Sequence, residues 1–244
     1  MCSRLRLAPG LQGTPVANAR ANRWSDFANT LNVIRNAGVN KRMRGGMTKG
    51  KKVYQFKIQL QDITPPIWRR IQIPETSSFW DLHVAITDAM GWLDLHLHEF
   101  TIVDSKTGES TWIGSPDPDT QVERNFHNER ETRISDWFNL KRRLGLYTYD
   151  FGDGWEHQLE LEDILPQDEK IEYPVCLDGA RACPPEDCGG IPGYENLLEV
   201  LEDPKHPEYE ELTTWLGEPF DPEHFDIGEI TFEDPEERWD HSLM

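Results

Sequence analysis

From Val53 to Ile63 apolar and polar residues alternate. Tyr54, Phe56, Ile58 and Leu60 fall on one side, and Gln55, Lys57, Gln59 and Gln61 on the other. A period of two predicts a strand with one buried face. Thr64-Pro65-Pro66 interrupts it, and Ile67 to Ile73 resumes the alternation around a bend at Arg69-Arg70. The period then changes. Phe79, Leu82, Ile86 and Met90 recur at spacings of three and four, which predicts a helix over 79–90. Ser77 or Ser78 is its expected cap and Gly91 its end. Leu95–Val103, Thr111–Ile113, Leu146–Tyr149 and His157–Leu161 read as strands. Asn196–Leu201 and Glu208–Leu216 read as helices. Strands with one early helix, followed by a helical C-terminal part, predict an α+β fold around a twisted, mostly antiparallel sheet.

Charge divides the chain. Its 244 residues carry a formal net charge of −19. Residues 1–52 hold eleven Lys/Arg and a single acid, Asp26, whereas residues 53–244 hold 14 bases and 43 acids, a net −29. Residues 1–50 are therefore read as a basic extension expected to be disordered, since low hydrophobicity with one-signed charge cannot offset the entropy of ordering. Three readings of it stand side by side: a targeting segment, a nucleic-acid-binding arm, or upstream sequence with Met47 as the true start. Residues 51–230 are the expected domain, and 231–244 an acidic tail. The acidic body disfavours nucleic acid, which needs clustered Lys and Arg; only residues 1–52 could supply such contacts. A protein partner with a basic surface suits the body better. No run approaches ~18 apolar residues, so no membrane span is expected. Four Cys do not make a secreted disulfide scaffold, and the cytoplasm is the expected location.

Three segments carry candidate chemistry. In Leu95-His96-Leu97-His98, the two histidines would share one face of a strand about 7 Å apart, where they could chelate a metal or lie on a polar sheet face. In Tyr149-Asp150-Phe151-Gly152-Asp153-Gly154-Trp155-Glu156-His157, the glycines mark a tight hairpin. Asp150 and Asp153 could simply bond turn N–H groups; alternatively Asp153, Glu156 and His157 could act as hard ligands or an acid/base pair. Cys176, Cys183 and Cys188 fall within thirteen residues. They read as structural thiols, or as a zinc site completed by His96, His98 or His157, or as a redox pair. The candidate metal ligands are thus His96, His98, Asp153, His157, Cys176, Cys183 and Cys188, a subset at most, with Zn²⁺ as the candidate ion. His83 is expected at the edge of the buried helix face, and Trp68, Trp80, Trp92, Trp155 and Trp215 in the core. Pro184-Pro185-Glu186-Asp187 reads as a turn or helix entry, or as a recognition ledge. No phosphate loop, nucleophile elbow, dinucleotide fingerprint or HExxH helix is present.

Taken in order, these motifs carry a resemblance. They run from Pro65-Pro66-Ile67-Trp68-Arg69-Arg70 through Leu82-His83, Met90-Gly91-Trp92, His96-Leu97-His98-Glu99-Phe100 and Tyr149–His157 to Cys183–Gly190 with Gly193-Tyr194. The stretch of about 51–230 resembles the plasmid pRiA4b ORF-3-like family. The resemblance implies a compact α+β domain and an association with plasmids and mobile elements. One relative is an insertion-element passenger whose label hints at recombination, but no serine or tyrosine recombinase constellation occurs here. The resemblance supplies no reaction and no catalytic residues.

Three functions follow as expectations. The first is an acidic binding or interaction protein with a structural metal site and no enzymatic activity. The second is a metal-dependent hydrolase using a His/Asp/Cys cluster, in which a metal-bound water is the nucleophile. The third is a nucleic-acid accessory protein acting through the basic arm.

Overall fold

The computed structural model describes residues 50–104, 107–115 and 125–242. The basic extension therefore lies, up to its last residue, outside the described residues, as does most of the Pro/Asp stretch after Gly114.

Eight strands form one sheet among these residues: β1 (Lys52–Leu60), β2 (Trp68–Pro74), β3 (His98–Val103), β4 (Ser110–Gly114), β5 (Phe126–Asn128), β6 (Leu144–Tyr149), β7 (Trp155–Pro166) and β8 (Val175–Ala180). Their order is β5-β4-β3-β6-β7-β1-β2-β8. Every neighbouring pair is antiparallel except β4 with β5. The helices are α1 (Phe79–Met90), the single turn α2 (Ile134–Trp137), α3 (Gly190–Glu202), α4 (Tyr209–Leu216) and α5 (Pro235–Ser242). The alternation of β1 is physical. Phe56, Ile58 and Leu60 are buried while Gln55, Lys57 and Gln59 are only half-buried. The strand lies between β7 and β2, so both edges of its backbone are hydrogen-bonded.

Helix α1 begins as its cap residue dictates. The Ser78 hydroxyl accepts from the Asp81 N–H while the Asp81 carboxylate accepts from the Ser78 N–H, which satisfies two of the N–H groups a helix start leaves open. It ends at Gly91, whose φ of 86° suits a residue without a Cβ. Ten of its twelve residues are buried, more than one apolar stripe requires. Phe79 and Leu82 join the core with Phe56, Phe100 and Phe138; rings of this kind meet edge to face at 4.9–5.0 Å, each burial contributing about 2–3 kcal/mol. Part of α1's outer side is covered by α5. Trp80 donates from Nε1 to the Pro235 carbonyl and packs edge-on against Trp239, and Arg238 pairs with Asp88 at 2.5 Å. The segment read as an acidic tail thus contributes a helix and a cation to the domain.

Two expectations change here. The strand read from Leu95 starts only at His98. Its partner β6 ends at Tyr149, opposite His98; the Asp150 N–H bonds the Leu97 carbonyl, and the chain then turns away. Asp94, at φ 60°, bends the segment before that point. Of the tryptophans, Trp80, Trp92 and Trp155 are buried, but Trp68 is half-buried beneath Lys57 and Arg70, and Trp215 is exposed.

Candidate metal centre

The loop from Gly91 to Leu97 joins α1 to β3 and keeps the alternation of a strand without its ladder. Leu93, Leu95 and Leu97 are exposed, whereas Trp92, Asp94 and His96 turn inward. Asp94 and His96 nevertheless reach different neighbours.

His96 meets three carboxylates. Its Nε2 lies 3.1 Å from Asp187 Oδ1, 3.4 Å from Glu186 Oε2 and 3.7 Å from Asp150 Oδ2. Asp150 is fixed by the hairpin between β6 and β7. Its Oδ1 accepts from the N–H groups of Gly152 and Asp153, which leaves Oδ2 for His96. Glu186 is fixed through Oε1, which accepts from the Tyr149 hydroxyl at 2.9 Å and the Leu93 N–H at 2.7 Å. Tyr149 in turn accepts from the Leu95 N–H, so its hydroxyl ties the leucine loop to Glu186. Burial and then Glu186 raise the Tyr149 phenol far above its usual range, so it remains a donor. Asp187 completes the group from a left-handed backbone position at φ 58°, and its side chain is 66 % exposed, which leaves one side of the cluster open to water.

The hairpin and the Pro184–Gly190 loop are held together. Asp153 accepts from the Gly189 N–H at 3.1 Å. A Cβ at Gly190 would lie 2.6 Å from the Asp153 carbonyl oxygen, so only glycine permits the approach. Asp153 therefore positions the loop that carries Glu186 and Asp187. Two atoms of the cluster remain unsatisfied: His96 Nε2 and Glu186 Oε2 are both buried and neither makes a hydrogen bond. Buried polar atoms without partners are uncommon and costly.

His98 belongs to a second group. Its ring stacks on His83, centroids 3.4 Å apart and planes 5° from parallel, and its Nε2 bonds Glu129 at 2.6 Å. His83 uses both nitrogens, Nδ1 to the Tyr147 hydroxyl and Nε2 to Asp94, each at 2.8 Å. Burial, then the neighbouring His98, lower His83 to about 4, so it is neutral. The expected chelation of one ion by His96 and His98 is not what the fold builds: the two fall into separate clusters, His96 with Asp150 and Asp187, His98 with His83 and Asp94.

The remaining sequence candidates lie elsewhere. His157 is enclosed by Trp92 and Tyr147, and burial lowers it to about 3. Cys183 contacts Met90 Sδ at 3.1 Å and Arg69 at 3.5 Å. Cys176 sits on β8, and Cys188 near Asp153. Burial raises all three thiols, Cys183 to about 11 and Cys188 to about 12, and none is in a disulfide. Among the described residues, no cluster of three metal-ligating groups includes a cysteine. Residue reading missed Glu186 and Asp187 as members of the His96 cluster. The only signal was two acids after a Pro-Pro step, which a turn also explains.

Known proteins place the chain. The family described as plasmid pRiA4b ORF-3-like protein matches residues 52–229. A relative from Sinorhizobium fredii (strain NBRC 101917 / NGR234), "Uncharacterized protein y4hQ", is 34% identical over 167 residues, covering 68% of this chain and 81% of the relative. The crystal structure of "Protein of Unknown Function MM3350 from Methanosarcina mazei Go1" is similar at 49% identity and a TM-score of 0.69, over 75% of this chain and 100% of that one. The sheet, the hairpin and the Cys-rich loop all fall within the matched span, and the chain belongs to the plasmid pRiA4b ORF-3-like family.

Proposed function

We propose that this chain is a divalent-cation-dependent protein whose centre is His96, Asp150, Glu186 and Asp187. One observation carries the reading: His96 Nε2 and Glu186 Oε2 face each other at 3.4 Å, both buried, both without a hydrogen bond. A cation among the four side chains would satisfy both atoms and neutralise three converging carboxylates. One imidazole with three carboxylates is a hard, mixed set that suits Mn²⁺, Fe²⁺ or Zn²⁺ better than a thiolate-rich structural zinc site. The open side at Asp187 leaves room for water on the ion, and a bound water of lowered pKa is the nucleophile of metal-assisted hydrolysis. Tyr149 and Asp153 are positioning residues here, acting through Glu186 and the 184–190 loop.

Titration of chelator-treated full chain with Mn²⁺, Zn²⁺ and Mg²⁺ by calorimetry tests the reading. The expected result is one ion per chain, with affinity reduced more than about tenfold by His96→Ala or Glu186→Gln. No saturable binding, or unchanged binding in both variants, overturns it. Hydrolysis of activated esters and phosphoesters by the loaded protein then separates an enzyme from a binding protein that holds a structural ion.

Among the described residues no helix is long and apolar enough to cross a membrane. Free thiols at Cys176, Cys183 and Cys188 support a reducing compartment, the cytoplasm, as the place of this function.

A further inference from the structure

A cleft of about 370 Å³, lined by none of the four side chains of the proposed metal centre, lies where the 128–131 turn meets α5. That volume is within the range of small-ligand sites, roughly 300–1,000 Å³. Its walls include Ser115, Asn128, Glu129, Glu131, Glu236 and Trp239.

Glu129 makes the cleft more than a group of surface acids. Its side chain is 1% exposed. Oε2 is bonded to His98, but Oε1 is buried and has no partner. Partnerless carboxylate oxygens in low dielectric favour a cationic donor. The cleft also has a precedent for such a donor in its own wall. Arg130 lays its guanidinium over the Trp239 ring at 4.5 Å and pairs with Glu236 at 2.6 Å, so indole and carboxylate together already hold one planar cation. With Arg130 offset by Glu236, the partnerless Oε1 of Glu129 and the Glu131 side chain remain at the cleft. The −29 carried by residues 53–244 would steer cations towards this surface.

We infer that this cleft binds an ammonium or guanidinium group through Glu129, with Trp239 and Glu131 at its walls. That group could belong to a free alkylamine or to a Lys or Arg side chain of a basic protein; the chemistry is shared. The inference is independent of the metal centre, because it uses none of its four ligands.

The test is an NMR titration of the full chain, in the presence of a chelator, following the Trp239 indole N–H. The probes are n-butylamine, n-butylguanidine, and capped peptides holding one lysine, one arginine or, as control, one norleucine. Saturable shifts with the cationic probes and none with norleucine are expected. Glu129→Gln should weaken binding about tenfold, the loss of one charge-assisted hydrogen bond. Ser115→Tyr, which fills the cleft and leaves Glu129 in place, should abolish binding and serves if Glu129→Gln does not fold. Peptides binding more tightly than free amines assign the group to a protein partner, and the reverse assigns it to a small molecule. No saturable shift up to about 10 mM probe, where even a millimolar site would be filled, overturns the inference. So does norleucine binding equal to lysine, or unchanged binding in Ser115→Tyr.

Discussion

His96 and His98 are two residues apart and occupy opposite kinds of site. His98 is enclosed, stacked on His83 and bonded to Glu129, in a layer where His83, Asp94 and Tyr147 also have partners. His96 is part-exposed and ringed by carboxylates that approach without bonding it. A histidine whose ring nitrogen is bonded to a buried carboxylate holds a fold together, because removing it strands its partner. An unsaturated cluster leaves free energy available to a ligand. The contrast is what separates the proposed binding role of His96 from the structural role of His98.

The comparison breaks most easily at His98. His98→Ala leaves Glu129 buried without a partner and should cost about 3 kcal/mol. His96→Ala should cost less than about 1 kcal/mol in metal-free protein, because no hydrogen bond is lost. Urea unfolding of both variants checks this, and equal losses would dissolve the distinction. Next in size is the cation itself. At a concentration a hundred times its Kd, the ion should add about 2.7 kcal/mol to stability, by mass action on the folded state. Chelation should remove that increment in the unmodified chain and in Arg238→Ala, but no more than about 1.4 kcal/mol in Glu186→Gln, whose affinity is at least tenfold weaker. Tyr149→Phe comes third. It deletes the hydroxyl that links the Leu95 N–H to Glu186, and should cost about 1 kcal/mol. Cation affinity should fall several-fold, and calorimetry on Tyr149→Phe against Tyr147→Phe would show whether only the former changes.

The remaining effect is a pH slope. His157 is held neutral, at about 3 against an ordinary 6.5. Unfolding therefore takes up a proton below pH 6.5, and its contribution is present above that pH and lost as pH falls towards 3. The slope from this one group is at most about 1.4 kcal/mol per pH unit. His157→Leu should flatten the stability profile between pH 6 and 4. A slope as steep as the parent's would assign the titration to other groups, His83 first.

Much of the fold was legible because periodicity reports burial. The alternation in 53–63 and the three-four spacing in 79–90 each specify an element whose buried face is local information. Ser78 and Gly91 mark helix ends by chemistry that acts over a few residues. The strand at 95–97 was misread for the same reason. Alternating leucines look like a strand, but a ladder needs a neighbour, and β6 turns at Asp150 before reaching them. Cysteines close in sequence suggested a shared ion; in the fold one is on β8, another is against Met90, and the third is beside Asp153.

The sequence by itself determined the α+β class, most of the strand segments and the first helix, the charge contrast between residues 1–52 and the body, and the three motifs around the candidate centre. Each of these follows from composition or from spacing along a single element. Tertiary structure decided which residues of those motifs meet. His96 joins Asp150 and Glu186, 54 and 90 positions away, because a hairpin and a glycine-tight loop converge on it, while His98 turns to a helix. Residue type and local period carry no information about contacts at that separation, and a ligand set is a property of such contacts.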